Sequence, residues 1–238
     1  MLGTIVNTIA VAVGGLVGLL FKNKINQRYA NIVMKGIGLC IFAIGITSII
    51  KTQMLLVMVL SMVIGSLIGE AVNIHRGIEK LAVSLNKIFK TGSEGASRFA
   101  EGFMGAALLF CIGSMTIMGC LESGINHDHT ILFSKSLIDL VSAITLAAAM
   151  GIGVPFAALF VLVFQGALTL LAGLLQGVLS PTVVTEMSAV GGLLLVALGL
   201  NLVDITERKF TVANFLPAVF MPIWIVPLAN KLGAVLPF

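Results

Sequence analysis

Gly38-Leu-Cys-Ile-Phe-Ala-Ile-Gly45 recurs later in the chain as Gly192-Leu-Leu-Leu-Val-Ala-Leu-Gly199, with two glycines, a leucine and an alanine in register. Of the 238 residues, 58% are hydrophobic and only 10% are charged, whereas about a quarter of a typical soluble domain is charged. This composition predicts a polytopic membrane protein. An internal repeat in such a protein, when its copies lie in opposite orientations, indicates a transporter-like architecture with a site between the halves.

About eight apolar runs are long enough to cross a hydrocarbon core, which requires roughly 17 to 25 residues each. The first run lacks the basic region and the cleavage site of a signal peptide, so it is predicted to be retained as a span. A break at Met150-Gly-Ile-Gly-Val-Pro155 separates the fifth and sixth runs, because proline suits a first helical turn. The predicted spans lie near residues 2–21, 32–50, 54–72, 99–120, 133–150, 153–179, 187–203 and 211–236.

The basic residues are distributed unevenly between the two sides of these spans. With eight spans, one side holds Lys22, Lys24, Arg28, Lys35, Arg76, Lys80, Lys87, Lys90, Arg98, Arg208 and Lys209, and the other holds Lys51, Lys135 and Lys231. Because cytoplasmic loops carry an excess of Lys and Arg, the first side is predicted to be inside and both termini outside. The net charge of +4 then reflects topology, and no nucleic acid partner is expected.

The segment between the third and fourth spans is not itself a span. Its apolar residues recur at helical spacing, and lysines and an arginine occupy the polar positions. We therefore predict that residues 75–98 form an amphipathic helix on the inner membrane surface and a flexible linker, the linker being Thr91-Gly-Ser-Glu-Gly-Ala-Ser97. This helix is expected to anchor the inner face, and a gating lid or a partner-binding site is the alternative.

The glycine pattern also predicts how the chain is divided. Gly14-x-x-x-Gly18 in the first span and Gly173-x-x-x-Gly177 in the sixth form a second match at a similar offset. Each copy is five crossings from its mate in chain order, and because this offset is odd the copies would be inverted. The prediction is a three-helix repeat over 1–74, a central two-helix unit over 99–151 and a second three-helix repeat over 152–238. A chance match of glycine-rich helices is the alternative, because such glycines also allow ordinary close packing.

A polar stripe lies on the fifth span. Lys135, Asp139 and Ser142 fall at i, i+4 and i+7, so they share one face of the helix. An ionisable group at membrane depth costs roughly 2.5–3.5 kcal/mol on insertion scales, so this face is predicted to line a protein interior or a water-filled path. The alternative is a Lys135–Asp139 pair that closes the helix end near the outer interface.

Other spans contribute further polar candidates. In the fourth span, Ser114 and Thr116 lie between two glycines, which indicates either local unwinding or hydroxyls bonded to the preceding turn. Asn7 precedes Gly15 and Gln165 precedes Gly173 by the same eight positions, so the repeat would bring both amides toward its axis. Glu186 is placed near a span end, where an exposed carboxylate needs no functional account. The predicted residues for binding a solute or ion are Asn7, Ser114, Thr116, Lys135, Asp139, Ser142, Gln165 and Asn201.

The sequence contains no Walker loop, H-E-x-x-H or G-x-S-x-G motif, which argues against an ATP-driven pump or a familiar intramembrane hydrolase. Asn126-His-Asp-His129 has residue types that bind zinc or copper, but adjacent residues do not by themselves converge on one ion. A polar outer loop is the simpler interpretation. No metal, cofactor or enzymatic activity is expected; an intramembrane enzyme would need the loop histidines to fold inward over Asp139.

Several motifs together resemble the bacterial YqgA/YdfK family of uncharacterised integral membrane proteins, over nearly the whole chain. The motifs are Gly3-Thr-x-x-Asn7, Cys111-Ile-Gly-Ser-Met-Thr-Ile-Met-Gly119, Lys135-Ser-x-x-Asp139, Gly151-x-Gly-Val-x-Phe156, Gln165-Gly166, Glu186-Met-x-Ala-x-Gly-Gly192 and Gly199-Leu-Asn201. The resemblance implies a bacterial inner-membrane protein, and it implies that these polar motifs are positions characteristic of the family. It assigns no function to them.

Two functions from different classes remain open. The first is a transporter or channel for a small solute or ion, with a polar site near the membrane midplane and Asp139 as the coupling carboxylate. A proton or sodium gradient would supply the energy, or transport would be passive. The second is a non-transporting scaffold or sensor subunit that binds a cytoplasmic partner through the inner amphipathic helix. The lipid bilayer is the partner common to both, and the sequence leaves homo-oligomerisation open.

Overall fold

The computed structural model describes the backbone of residues 1–22, 27–77, 80, 92–111, 113–205 and 208–235, and it contains no β-strand in those ranges. The predicted all-α fold is confirmed. The helices are α1 (Leu2–Lys22), α2 (Gln27–Ile49), α3 (Leu55–Val72), α4 (Gly92–Cys111), α5 (Ser114–Ile125), α6 (Thr130–Met150), α7 (Gly153–Leu170), the short α8 (Ala172–Leu175), α9 (Pro181–Val203), a 3-10 helix (Val212–Phe220) and α10 (Pro222–Val235).

Six of these helices are long and apolar enough to cross a membrane, namely α1, α2, α3, α6, α7 and α9. Two further pairs qualify only when taken together, and they bend by 58° between α4 and α5 and by 42° between the 3-10 helix and α10. With each bent pair counted as one crossing, the described ranges hold eight, the number that the sequence predicts. The chain is therefore a polytopic membrane protein.

Several predicted boundaries are wrong, each for a local reason. The seventh span begins at Pro181 rather than near 187, because Ser180 caps the helix by accepting a hydrogen bond from Val183 N at 3.3 Å. The sixth ends at Leu170, and the residues up to 179 form α8 and turns. The eighth begins as a 3-10 helix that contains Pro217. The break between α6 and α7 is confirmed, and Gly151 closes α6 with a φ of 86° that favours glycine.

The segment predicted as an inner-surface amphipathic helix lies mostly outside the described residues, which omit 78–79 and 81–91. The prediction for 75–98 therefore stands only as a prediction. One part of it differs from the structure. Helix α4 begins at Gly92, so residues 92–97 continue into the fourth crossing as helix rather than as a linker.

The two glycine-flanked stretches pack directly against each other in an antiparallel arrangement. A Cβ added to Gly45 would lie 2.6 Å from Gly192 O, and a Cβ added to Gly192 would lie 2.7 Å from Gly45 O. At the other end of the two stretches, a Cβ added to Gly199 would lie 2.7 Å from Gly38 O. Helices α2 and α9 thus meet backbone to backbone along a glycine seam, Gly38, Gly45, Gly192 and Gly199, which is a common means of close packing in membranes.

The second glycine match does not share a packing role. Added Cβ atoms on Gly14 and Gly18 of α1 would collide with Leu140 O and Ile144 O of α6. Gly173 and Gly177, by contrast, have nothing within 4 Å of an added Cβ in the described structure. The inverted repeat therefore remains a prediction whose first pair of motifs is in contact and whose second pair has different surroundings.

The contacts between helices give their relative directions. Gly14 and Gly18 of α1 meet Leu140 and Ile144 of α6 in the same order, so these helices run parallel. Along α3 and the 3-10 helix, Gly65 meets Ala218 and Gly69 meets Asn214, so this pair is antiparallel, as are α2 and α9. Consecutive crossings of a membrane alternate in direction. An eight-crossing chain therefore requires the first and fifth crossings to be parallel, and it requires the second and seventh, and the third and eighth, to be antiparallel. The contacts meet all three requirements.

Candidate functional site

The centre of the candidate site is an ion pair on α6. Lys135 and Asp139 lie one helical turn apart and are 5% and 4% exposed, and Lys135 Nζ donates to Asp139 Oδ2. Ser142, the third residue of the predicted stripe, is half-buried one turn further along. The pair thus faces the protein rather than lipid, as the sequence predicts for an ionisable stripe at membrane depth.

Helix α1 supplies a second donor to the same carboxylate oxygen. Asn7 is fully buried, and its Nδ2 donates to Asp139 Oδ2 at 3.0 Å. The parallel packing of α1 on α6 brings the two side chains together across the glycines that let the helices approach. Asn7 Oδ1, on the other side of the amide, has no hydrogen-bond partner in the described structure. A buried acceptor without a partner lowers the stability of the fold by about 1–3 kcal/mol. Such an atom is expected to accept a hydrogen bond from a water or to bind a ligand.

Gln165 on α7 faces the same region of α1. Helices α1 and α7 are antiparallel, because Thr4 Oγ1 lies 3.1 Å from Thr169 Oγ1 while Gly15 packs on Pro155. Asn7 follows Thr4 by one turn and Gln165 precedes Thr169 by one turn, so this register sets the two amides on facing turns. Gln165 is fully buried, and both Oε1 and Nε2 are without a partner among the described residues.

The break in the fourth crossing adjoins the ion pair. Thr116 is fully buried, and its Oγ1 donates to Phe110 O at 2.9 Å, which satisfies a carbonyl that the interrupted helix leaves free. Lys135 Nζ lies 5.9 Å from the centre of the Phe110 ring, within the range of a cation–π contact. Ser114, at the start of α5, is exposed and lies outside this buried cluster.

Asn201 belongs to a different polar group. Its Nδ2 donates to Phe210 O at 2.8 Å and its Oδ1 accepts from Phe210 N at 2.9 Å, so it binds both backbone polar groups of Phe210. It also lines an open pocket of about 330 Å³ with Lys35, Glu101 and Lys209, the last two of which form a 2.6 Å ion pair. None of these contacts is with the α6 ion pair.

Glu186 is the residue that sequence reasoning missed. It is fully buried, and it accepts hydrogen bonds from Thr52 Oγ1 at 2.6 Å, Gln53 N at 2.7 Å and Met54 N at 3.0 Å. The carboxylate therefore binds one hydroxyl and two backbone N–H groups of the turn that leads into α3. The Ser180-Pro181 pair was the available signal, because a helix that begins there places Glu186 inside the crossing.

Replacing Glu186 with alanine is expected to lower the free energy of unfolding by about 3 kcal/mol, because three hydrogen bonds to a buried carboxylate are lost and two backbone donors stay unpaired. The apparent Tm of the detergent-purified protein should fall by roughly 10 °C. Glu122→Ala is the matched control, because the Glu122 side chain contacts exposed Asn126, and it should shift the Tm by no more than about 2 °C. Equal shifts for both variants would contradict this role of Glu186.

The loop predicted as a weak metal candidate holds ordinary turn contacts. Among the described residues, no three His, Cys, Asp or Glu side chains converge as a metal site would require. His129 Nδ1 lies 2.8 Å from Ser123 Oγ, and Asp128 Oδ1 accepts from Thr130 N at the start of α6. Hydrogen bonds from the side chain and the backbone of Thr130 hold the pKa of Asp128 below its ordinary value.

Comparison with known proteins places the chain in a family. The family described as "Protein of unknown function (DUF554)" matches residues 2–227. The uncharacterized membrane protein YdfK of Bacillus subtilis (strain 168) is 32% identical over 237 residues, covering 98% of this chain and 99% of the relative. The uncharacterized protein YqgA of Escherichia coli (strain K12) is 30% identical over 223 residues, covering 93% and 94%. No solved structure matches the chain. The resemblance carried by the sequence motifs is confirmed: the chain belongs to the DUF554 family.

Proposed function

We propose that this protein is a secondary transporter or channel for a small solute or ion in the bacterial inner membrane, with both termini outside. The observation that carries the proposal is the buried polar cluster of α1, α6 and α7. It combines an ion pair, Lys135–Asp139, with an amide pair, Asn7 and Gln165, whose free atoms have no protein partner among the described residues. A purely structural core would not require so many polar groups at this depth.

The broken crossings support the same function. Secondary transporters commonly build their sites from interrupted helices, whose freed backbone groups are tolerated where they line a cavity. Here the break between α4 and α5 lies near Lys135, because the Phe110 ring on α4 is in cation–π range of the Lys135 ammonium. The second bend lies between the 3-10 helix and α10. The predicted inverted repeats, residues 1–74 and 152–238, would flank the first break, and the second repeat would contain the second bend.

In this proposal, Asp139 is the coupling residue. Its Oδ2 accepts from both Lys135 and Asn7, so an arriving cation or solute donor that binds this oxygen must compete with them. A change of partner at this oxygen would break a hydrogen bond made by α1, by α6 or by both, because each helix contributes one of the two donors. The energy would come from a proton or sodium gradient, or transport would be passive.

The test is flux into liposomes that contain the purified protein. Proton, sodium and potassium fluxes under imposed gradients, and uptake of radiolabelled amino acids, sugars and organic acids, are measured against empty vesicles. Wild-type protein should accelerate at least one of them, and Asp139→Asn should lower that flux at least tenfold, because the variant loses the charge for which Lys135 and the substrate compete. Glu122→Gln, which alters a carboxylate outside the buried cluster, should retain it. Flux equal to that of empty vesicles for every probe, or full flux in Asp139→Asn, would overturn the proposal.

A further inference from the structure

We propose that Asn7 Oδ1, Gln165 Oε1 and the Asp139 carboxylate form a binding site for one monovalent alkali cation, and that Lys135 is a tethered competitor for it. The inference rests on the proposed function by naming the ligand class of the same site. It is carried by atoms that the protein leaves without partners. Its three ligating groups come from α1, α7 and α6, so the site would join three crossings.

The free atoms have the right chemistry for a hard cation, which prefers carboxylate and carbonyl oxygens. Asn7 and Gln165 are both fully buried, and each has an amide oxygen without a partner among the described residues. The other end of the Asn7 amide is bound at 3.0 Å to Asp139 Oδ2, so Asn7 Oδ1 and the carboxylate are held in one local unit. The Thr4–Thr169 pair, 3.1 Å between hydroxyl oxygens, fixes Gln165 on the turn that faces Asn7.

The charge of the site favours a monovalent occupant. Asp139 supplies one negative charge, and the Lys135 ammonium neutralises it in the present arrangement. Exchange of the ammonium for one alkali cation leaves the net charge at the carboxylate unchanged, whereas a divalent ion would add an uncompensated positive charge in a buried region. Lys135 Nζ lies 5.9 Å from the centre of the Phe110 ring, so this cation–π contact would remain available to an ammonium displaced from the carboxylate.

Cation binding can be measured without transport, by thermal unfolding of the full chain in detergent at constant ionic strength. Sodium chloride or potassium chloride should raise the apparent Tm over choline chloride by about 5 °C at concentrations well above Kd. Gln165→Leu should lower the affinity at least tenfold while keeping the Tm in choline at or above that of wild type, because leucine removes two unpartnered polar atoms. Gln176→Leu, which alters an exposed glutamine on the segment after α7, should retain the cation effect.

Lys135→Met gives the opposite and most specific result. Without the tethered ammonium, the apparent affinity for the alkali cation should rise at least tenfold, and a low Tm in choline should recover when sodium or potassium is added. Asp139→Asn should abolish the cation effect. Equal Tm values in the sodium, potassium and choline salts for wild type and for Lys135→Met would overturn the cation site. So would an unchanged affinity in Gln165→Leu.

The outcomes separate this inference from the transporter proposal. Alkali-cation stabilisation without any flux supports the site and overturns transport. Solute flux that is independent of sodium and potassium, with no stabilisation by either, overturns the cation site and leaves transport standing.

Discussion

Lys135→Met is expected to lower the free energy of unfolding by about 3–5 kcal/mol in a buffer that contains choline as its only monovalent salt cation, because it leaves the buried Asp139 carboxylate without its counter-charge. The apparent Tm should fall by at least 10 °C. Lys231→Met makes the same replacement at an exposed position of α10, and it should change the Tm by no more than about 2 °C. A Tm within that margin for Lys135→Met would show that the pair is not buried as the structure describes.

A second replacement separates stability from function at the same position. Lys135→Met combined with Asp139→Leu removes both charges, and replacing a buried ion pair with apolar side chains is often neutral or stabilising. The double variant should therefore regain most of the Tm lost by Lys135→Met, although Asn7 Nδ2 loses its acceptor. Its flux should stay at the level of empty liposomes, because the coupling carboxylate is absent. Recovered stability together with recovered flux would contradict the assigned role of Asp139.

Gly69→Ala is expected to be the most damaging of the glycine replacements, because an added Cβ would overlap Asn214 O of the 3-10 helix. Backbone cannot give way as the end of a flexible side chain can, so the two helices must separate. Overpacking of this kind typically costs about 1–3 kcal/mol or more. Separation would also disturb the bonds of Asn214, which donates to Glu70 Oε2 at 2.8 Å and accepts from His75 N at 2.7 Å.

Gly36→Ala is the matched control for Gly69→Ala. Gly36 lies inside α2 and has nothing within 4 Å of an added Cβ. Alanine there should raise the free energy of unfolding by about 0.5–1 kcal/mol, because it has the higher helix propensity. The two variants should thus shift the apparent Tm in opposite directions. A Gly69→Ala protein as stable as wild type would show that α3 and the 3-10 helix are further apart than described.

The helical crossings could be predicted because the information for them is local. Apolar run length gives the number of crossings, and the i, i+4 spacing of Lys135 and Asp139 places both on one face without knowledge of any other helix. The break at Gly151 is likewise predicted from a few adjacent residues, Met150-Gly-Ile-Gly-Val-Pro155. The 3-10 helix was not predicted, since Pro217 acts there together with contacts from α3 that no local pattern contains.

The partners within the site required the tertiary structure. Asn7 and Asp139 are 132 positions apart in the chain, and Glu186 binds residues 132 to 134 positions away. The sequence indicated that Asn7, Gln165 and Asp139 were costly in a membrane, which was enough to select them as candidates. It assigned Asn201 and Ser114 to the same set on the same grounds, although the structure places Asn201 in a separate group and Ser114 at an exposed position.

The glycine seam between α2 and α9 makes the substitutions allowed on one helix depend on the other helix. None of Gly45, Gly192 and Gly199 can acquire a side chain unless the backbone of the other helix retreats, and a Cβ added to Gly38 would lie 2.9 Å from Leu202 Cβ. A substitution tolerated on one helix would require a compensating movement on the other, so these four positions are constrained as one unit. The end of α2 is therefore not free to diverge from α9, however far apart the two lie in the gene.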